Sequence, residues 1–182
     1  MKKLLTLFGA IGLMSSSAIL SANVVSCGDT TTEDNSKPLT YKEGKKDSDI
    51  VELLKKEDTK IGTEGKPLQT EASKLASDYK DTTSEEYGGI QIEGTVISSF
   101  LGTGGKAFID EVNEIYNETG DLKIGQEGTK LVAYLMTIKG TKGESKFNLA
   151  VIKVEMEANA ETGKMSTKFS KDFKIEVTIP AE

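Results

Sequence analysis

Near the C-terminal end, apolar and polar residues alternate over a long segment, and this alternation constrains the fold of the chain more than any other feature. From Met165 to Phe169, and again from Phe173 to Ile179, every second residue is apolar or threonine, and the residues between are polar. Successive side chains of a strand point to opposite faces, so the pattern predicts a strand with one apolar and one polar face. Such a strand needs partners, and the chain must therefore build a sheet. A turn is predicted just before it, at residues 159–164.

Three earlier segments predict the rest of this sheet. Residues 131–138 (LVAYLMTI) are apolar in both alternations, which is typical of a central strand covered on both faces. A hairpin loop at 140–145 separates it from a further strand at 147–156. The apolar side chains of that strand change faces near residues 151–153, which predicts a bulge or bend. Residues 90–96 alternate as well and predict one half-buried strand.

Helical spacing of apolar residues predicts three helices. The first is short and begins near Ser48, where an apolar stripe follows Asp49. The second covers residues 68–80, where leucine, alanine and tyrosine recur at helical intervals. The third covers residues 105–117 and ends at the polar run 117–120.

Together these elements predict an α+β fold, with short N-terminal helices followed by a helix packed on an antiparallel sheet. The order of strand, helix and further antiparallel strands is similar to a cystatin-like roll, by analogy of topology. The alternative is an immunoglobulin-like β-sandwich, because residues 171–180 (KDFKIEVTIP) resemble the closing strand of such modules on bacterial surface proteins. The predicted helix at 105–117 counts against a pure sandwich.

Residues 1–26 have the features of a secretory signal. Lys2 and Lys3 precede an apolar stretch from Leu4 to Met14, and small polar residues follow it. The apolar stretch is too short to cross a hydrocarbon core ~30 Å thick, so the pattern predicts cleavage rather than a membrane-spanning helix.

Cys27 is the only cysteine of the chain, and it directly follows Val24, Val25 and Ser26. This VVSC sequence resembles a bacterial lipobox, and with the MKKLL start it is similar to surface lipoproteins of wall-less bacteria (mollicutes) of the spiralin type. The match covers residues 1–28. The resemblance implies that Cys27 receives a diacylglycerol thioether, that the bond between Ser26 and Cys27 is then cut, and that the protein is anchored by lipid on the extracellular face of the cell membrane. Two acyl chains at ~0.8 kcal/mol per buried methylene hold a protein stably.

Four segments are expected on this basis. Residues 1–26 are the cleaved signal peptide, and residues 27–47 hold the lipidated cysteine and a flexible polar tether without apolar periodicity. Residues 48–87 carry the short amphipathic helices, and residues 88–180 form the α+β domain. The mature chain keeps 21 lysines against 29 carboxylates, a net charge of −8.

Composition excludes several kinds of chemistry. All 23 basic side chains are lysine, and the chain has no arginine, histidine or tryptophan. Ser-His-Asp and Cys-His arrangements, imidazole metal ligands and internal disulfides are therefore impossible. The formal charge of −6 opposes nucleic-acid binding, which uses a clustered basic face. No cofactor and no metal are expected.

The glycine-rich run at 100–110 (FLGTGGKAFID) gives only weak matches to nucleotide-binding motifs. It fails as a phosphate-binding loop because Ala107 stands where serine or threonine is needed. Gly102, Gly104 and Ala107 fit a dinucleotide fingerprint, but no second βαβ unit follows. A flexible turn that caps the helix is the expected role.

Two acidic patterns resemble cation sites without meeting their requirements. Asp110, Glu111 and Glu114 lie on one side of the third helix, but Lys106 one turn earlier favours a solvated face. The run from Asp47 to Asp49 opens like a calcium loop and lacks the later ligands and the central glycine.

The sequence thus predicts a non-catalytic, membrane-anchored surface lipoprotein that acts as a coat or as a binding and adhesion module. Its expected partners are the membrane, through the lipid, and a host or extracellular protein or glycan. The alternative is a ligand-binding or accessory lipoprotein of a transporter, although bilobal solute receptors are usually larger. No enzyme activity is expected.

Overall fold

A computed structural model of the chain describes residues 33–83, 91–97, 105–158 and 165–181. The fold is α+β, as predicted. Its helices are α1 (Asp47–Lys55) and α2 (Gly105–Ile115), and a 3-10 turn at Thr119–Asp121 follows α2. The strands are β1 (Glu33–Pro38), β2 (Thr70–Glu71), β3 (Lys74–Leu75), β4 (Thr82–Thr83), β5 (Gln91–Ile92), β6 (Thr95–Val96), β7 (Gly125–Glu127), β8 (Lys130–Lys139), β9 (Lys146–Ala158) and β10 (Met165–Thr178).

Six strands form one mixed sheet. Its order is β1-β10-β9-β8-β6, and β7 also pairs with β8. All pairs are antiparallel except that of β1 with β10, which is parallel. The predicted strands at 131–138 and 147–156 and the loop at 140–145 are confirmed. The sheet and helices agree with the α+β prediction and not with the alternative of an immunoglobulin-like sandwich.

The sheet separates two apolar clusters. On one face, the inward side chains of β8 and β9, such as Met136 and Leu149, pack against both helices and against the segment between α1 and β4. On the other face, a smaller cluster joins Leu135, Ile152 and Phe169 to Ile92. The prediction that the central strand is covered on both faces is therefore confirmed, since β8 contributes buried side chains to each cluster.

A bulge in β10 distributes its apolar residues between these two faces. In the pairing of β10 with β9, Lys171 lies opposite Ile152 and Phe173 lies opposite Val151, so no residue of β9 lies opposite Asp172. The extra residue changes the side-chain phase, and Phe169 and Phe173 lie on opposite faces although both occupy odd positions. The predicted bulge lies at the expected level of the sheet, but on the neighbouring strand. The prediction of a single apolar face along this strand is wrong for the same reason.

The predicted helix at 68–80 is wrong. The segment holds the β2–β3 hairpin, whose two turn residues, Ala72 and Ser73, both have positive φ (47° and 59°). Two successive positive φ values are typical of tight hairpin turns and incompatible with a right-handed helix. The backbone instead pairs with the β8–β9 turn, where Leu75 N donates to Glu144 O over 2.9 Å. The apolar spacing that resembled a helix still marks the buried residues Leu68, Leu75 and Tyr79.

Two further predictions need correction. The flexible tether over residues 27–47 is wrong from residue 33 onward, because β1 pairs with β10 there and Leu39 is buried. The single strand over 90–96 is divided into β5 and β6 by a tight turn at Gly94 (φ +84°). A Cβ at Gly94 would lie 2.8 Å from Ile138 O, so this turn needs glycine.

Candidate functional site

The predicted lipid anchor lies outside the part of the chain that the structure describes; its residues are Val24, Val25, Ser26 and Cys27. The signal peptide, the turn at 159–164, and Gly102 and Gly104 of the glycine-rich run also lie outside that part. Within the described ranges, no helix is both long and apolar enough to cross a bilayer. The predicted site therefore stays a prediction from sequence. What the structure adds is the arrangement of charge and burial in the folded part.

A groove of about 310 Å³ runs between the two helices. Leu53 and Ile115 form its apolar floor, and its walls carry charged side chains from both helices. The carboxylate of Glu111 pairs with Lys56 across the groove, and Lys45 pairs with Asp49 at 3.4 Å. The groove is lined by Lys45, Asp49, Glu52, Leu53, Lys56, Glu111, Glu114 and Ile115.

The acidic residues of α2 do not form a cation site. Asp110 pairs with Lys106 at 2.7 Å, which agrees with the predicted solvated face. Across the described ranges, no three carboxylate, thiol or imidazole side chains converge in a way that could hold a metal ion. Glu52 and Glu114 are exposed, and neither has an ion-pair partner among the described residues. Chemically, the groove can attract a cationic group at the surface.

The acids at the start of α1 serve the fold rather than a calcium loop. Asp47 Oδ2 accepts a hydrogen bond from Thr178 N (2.7 Å), and its Oδ1 accepts one from the Tyr41 hydroxyl (2.7 Å). Asp49 accepts from Lys46 N (3.0 Å) and so caps the helix. Asp47 thereby joins the loop after β1, helix α1 and the last strand.

Tyr41 belongs to a stacked pair with Tyr116 at the end of α2. The ring centroids lie 5.1 Å apart and the ring planes are inclined by 24°. Burial of the ring, with the hydrogen bond to Asp47, raises the pKa of Tyr41 far above its ordinary value. Burial also raises the pKa of Tyr116; the neighbouring Tyr41 hydroxyl opposes this rise in part, and the charge of Asp47 adds to it. Both phenols therefore stay protonated at neutral pH, and neither can act as a general base there.

Lys171, next to the bulge in β10, is the most buried of the ion-paired lysines in the described ranges, with 7% of its side chain exposed. Its ammonium lies 2.5 Å from Glu93 Oε2, on the β5–β6 turn, and 2.9 Å from Asp34 Oδ2, on β1. One lysine thus ties three separate segments together. Charged groups taken out of water need such partners, because their desolvation is otherwise costly.

The pKa values of Lys171 and Asp34 keep these two groups charged near neutral pH. Burial alone would lower the pKa of Lys171, but the bonds to Glu93 and Asp34 outweigh it and the pKa is raised. The Ser36 hydroxyl and then Lys171 hold the pKa of Asp34 well below its usual range. A permanently protonated amine is a poor nucleophile, so the cluster is suited to holding strands together rather than to covalent catalysis.

Lys171 and its partners were not predicted from the sequence. The available signal was the position of Lys171 itself, since it occupies an odd position in β10 where the neighbouring odd residues are apolar or threonine. A lysine in the apolar phase of a strand indicates either a buried pair or a break in the alternation. Here both are present. The identity of its partners depends on β1 and the β5–β6 turn, which lie far away in sequence.

A second groove, of about 350 Å³, lies near this cluster, because the Lys139 ammonium on its wall is 4.0 Å from Glu93 Oε1. Lys139 crosses it to Asp81 at 2.8 Å, and Lys142 N donates to Asp78 Oδ1 over 2.8 Å. Burial opposes ionisation of Asp81, but Lys139 and the Gly94 N–H outweigh it and lower the pKa of this carboxyl. The side chains that line this groove are mostly polar, and its charged groups are paired with one another. Tyr79, Lys80, Gly140 and Thr141 complete the lining.

Comparison with known proteins finds no match for this chain among protein-family models, curated protein sequences or solved structures.

Proposed function

We propose that this chain is a bacterial surface lipoprotein, held on the extracellular face of the cell membrane by acylated Cys27. Its folded part acts without catalysis, as a surface coat or as a binding and adhesion module for an extracellular protein or glycan. The partners of this function are the membrane, through the lipid, and that extracellular macromolecule.

One observation carries the proposal. The only cysteine of the chain follows Val24, Val25 and Ser26 at the exit of an apolar segment that begins after two lysines. A signal segment directs export, and a cysteine at its end supplies the one thiol that a lipid-transferring enzyme needs.

The position of the fold is compatible with this processing. The first described strand begins at Glu33, after Cys27, so cleavage between Ser26 and Cys27 removes no residue of the described sheet or helices. The composition adds support for a non-catalytic role, because the chain has no histidine and its buried lysine and tyrosines keep their protons at neutral pH.

Substitution of Cys27 tests the anchor. In a bacterial host that processes lipoproteins, we expect the wild-type chain to lose residues 1–26, gain the mass of a diacylglycerol group and fractionate with membranes. Cys27→Ser should accumulate as an unprocessed precursor without lipid. Mass spectrometry of the N-terminal peptide measures both results. Ser17→Ala, a change in the same segment outside the lipobox, is the matched control and should be processed normally.

A Cys27→Ser protein that is cut after Ser26 and acylated like the wild type would exclude the anchor. The binding role is tested separately with the processed protein in mild detergent, on panels of extracellular matrix proteins and glycans. Saturable binding to one member supports the module. A large rise in melting temperature with a small solute, without any macromolecular ligand, would favour the transporter accessory instead.

A further inference from the structure

The first described strand begins very soon after the proposed anchor. Only residues 28–32 lie between Cys27 and Glu33. Whatever path they take, the Cα positions of Cys27 and Glu33 cannot be more than ~22 Å apart. A domain tied this closely to acyl chains cannot stand far from the bilayer, and the part of the fold nearest to Glu33 must lie close to the lipid headgroups.

The direction of β1 shows which part of the fold that is. β1 runs parallel to β10, with Glu33 opposite Ser170 and Pro38 opposite Lys174. The chain before Glu33 therefore enters the sheet from the end where β10 begins, at Met165. From Ser170 back to Met165 the strand covers ~17 Å at ~3.4 Å per residue, a distance within the reach of the short connection.

Two hairpins meet at this end of the sheet. Lys130 of β8 pairs with Glu157 of β9, and Ala158 pairs with Met165. The Thr129 hydroxyl donates to Glu157 Oε1 over 2.7 Å and so fixes the β7–β8 turn against β9. We call this surface the hairpin end, and we define it by residues 127–130, 157–158 and 165–168.

The charge of the hairpin end differs from that of the helices. Its charged residues are two glutamates and two lysines, Glu127, Glu157, Lys130 and Lys168, which cancel. Helices α1 and α2 each carry three carboxylates and one lysine, a net charge of −2 apiece. An anionic membrane surface attracts basic and repels acidic segments, so it disfavours contact with the helices and tolerates the neutral hairpin end.

We propose that the hairpin end faces the membrane at the level of the lipid headgroups. The opposite end of the sheet, with the β8–β9 turn at 140–145, then points into the medium. This orientation rests on the proposed lipid anchor at Cys27. Its partner is a bilayer of zwitterionic and anionic phospholipid, and the surface that meets an extracellular partner is the far end of the sheet.

The single cysteine makes the orientation measurable. Once Cys27 is a thioether, an introduced cysteine is the only free thiol. Ser166 at the hairpin end and Ser145 beside the β8–β9 turn are both exposed serines, and β9 separates them by ~36 Å at ~3.3 Å per residue. The full chain with Ser166→Cys or Ser145→Cys is expressed in a lipoprotein-processing host, purified from its membranes and labelled with an environment-sensitive fluorophore.

The labelled proteins are reconstituted into vesicles of phosphatidylcholine and phosphatidylglycerol that contain headgroup spin-labelled lipid. We expect the fluorophore at residue 166 to be quenched at least threefold more than the fluorophore at residue 145. Thr129→Cys and Lys142→Cys provide a second probe at each end, should either serine variant fold poorly.

Flotation of the vesicles separates the two proposals. If the lipidated protein floats and both probe pairs are quenched equally, or the 145 and 142 probes more strongly, the orientation is overturned and the anchor stands. A chain that gains no lipid and does not float with vesicles removes the anchor, and the orientation falls with it.

Discussion

The rings of Tyr41 and Tyr116 stack with centroids 5.1 Å apart, yet only one of their hydroxyls is satisfied. Tyr41 donates to Asp47 Oδ1, whereas the Tyr116 hydroxyl is buried and has no hydrogen-bond partner in the described structure. The pair thus combines a favourable ring contact with one unsatisfied polar atom.

Removal of each hydroxyl should have opposite effects. Tyr41→Phe removes the hydroxyl that donates to Asp47 Oδ1, while Thr178 N still donates to Oδ2, and it should lower the free energy of unfolding by ~1–3 kcal/mol. Tyr116→Phe removes a buried hydroxyl that makes no hydrogen bond and should leave the stability unchanged or raise it by up to ~1 kcal/mol. Urea denaturation followed by circular dichroism measures both. The expectation fails if Tyr116→Phe destabilises as much as Tyr41→Phe, its matched control.

Acid should release β1 before the rest of the sheet unfolds. Because the folded state holds the pKa of Asp34 below its usual value, the contribution of this carboxylate is present above the unfolded pKa of ~3.9 and is lost as the pH falls below it. The Leu39 amide, which donates to Lys174 O over 2.8 Å, reports on β1.

Hydrogen exchange at Leu39, corrected for the intrinsic rate, should therefore accelerate between pH 5 and pH 3 and go on accelerating below pH 3. The stabilisation is lost progressively from ~1 unit above the unfolded pKa down to the lower pKa of the folded state. Asp34→Asn should show the fast rate already at pH 7 and little further change in acid. Equal protection of Leu39 at both pH values in the wild type would show that Asp34 does not hold the strand.

The glycines differ sharply in what surrounds them. At Gly94 a Cβ would lie 2.8 Å from Ile138 O and φ is +84°, so Gly94→Ala combines a backbone clash with conformational strain. We expect it to cost ~2–4 kcal/mol. At Gly140 a Cβ would lie 2.5 Å from Leu75 Cδ1 and 3.0 Å from Phe147 Cβ, and we expect ~1–3 kcal/mol.

Gly120→Ala is the matched control, because nothing lies within 4 Å of a Cβ at Gly120. It should change the stability by no more than ~0.5 kcal/mol. Thermal denaturation of the three variants ranks them directly. A Gly120 variant as unstable as the Gly94 variant would contradict the steric explanation.

Deletion of Asp172 should remove the bulge and keep the fold. Phe169 and Phe173 are then three positions apart in a regular strand, so their side chains still point to opposite faces and each reaches its cluster. A near-ultraviolet spectrum and a cooperative melting transition detect the fold, and Asp172→Ala, which keeps the bulge, is the matched control. A deletion variant that does not fold, beside a folded Asp172→Ala variant, would show that the bulge itself is required.

The elements predicted correctly are those decided by local pattern. In β8 and α2 the spacing of apolar residues along the sequence predicts the element that forms, because each element buries its apolar side chains against a neighbouring layer of the fold. In the segment 68–80, distant contacts rather than the local pattern decide the backbone. Its buried residues are spaced as on a helix, but hydrogen bonds to the distant β8–β9 turn decide its backbone.

Charge pairing was the part of the candidate site least accessible from sequence. The sequence shows that Lys171 stands among positions that are otherwise apolar or threonine. It does not show the pairing of Lys171 with Asp34 and Glu93, which depends on where β1 and the β5–β6 turn lie in the fold. The parallel addition of β1 was also unpredictable, since EDNSKP has a composition typical of loops. Backbone hydrogen bonds to β10 make β1 a strand, although the residues of β1 themselves do not favour one.

The parallel pairing of β1 with β10 also determines when the domain can fold. The first described strand needs the last one, and Asp47 holds the Thr178 amide across 131 positions of sequence. Contacts of such long range form late, because the whole intervening chain must first be synthesised and brought together. A chain halted before Met165 has no partner for β1. Under the proposed export, in which the chain crosses a membrane unfolded, this dependence on β10 delays closure of the sheet until the translocation channel has released β10.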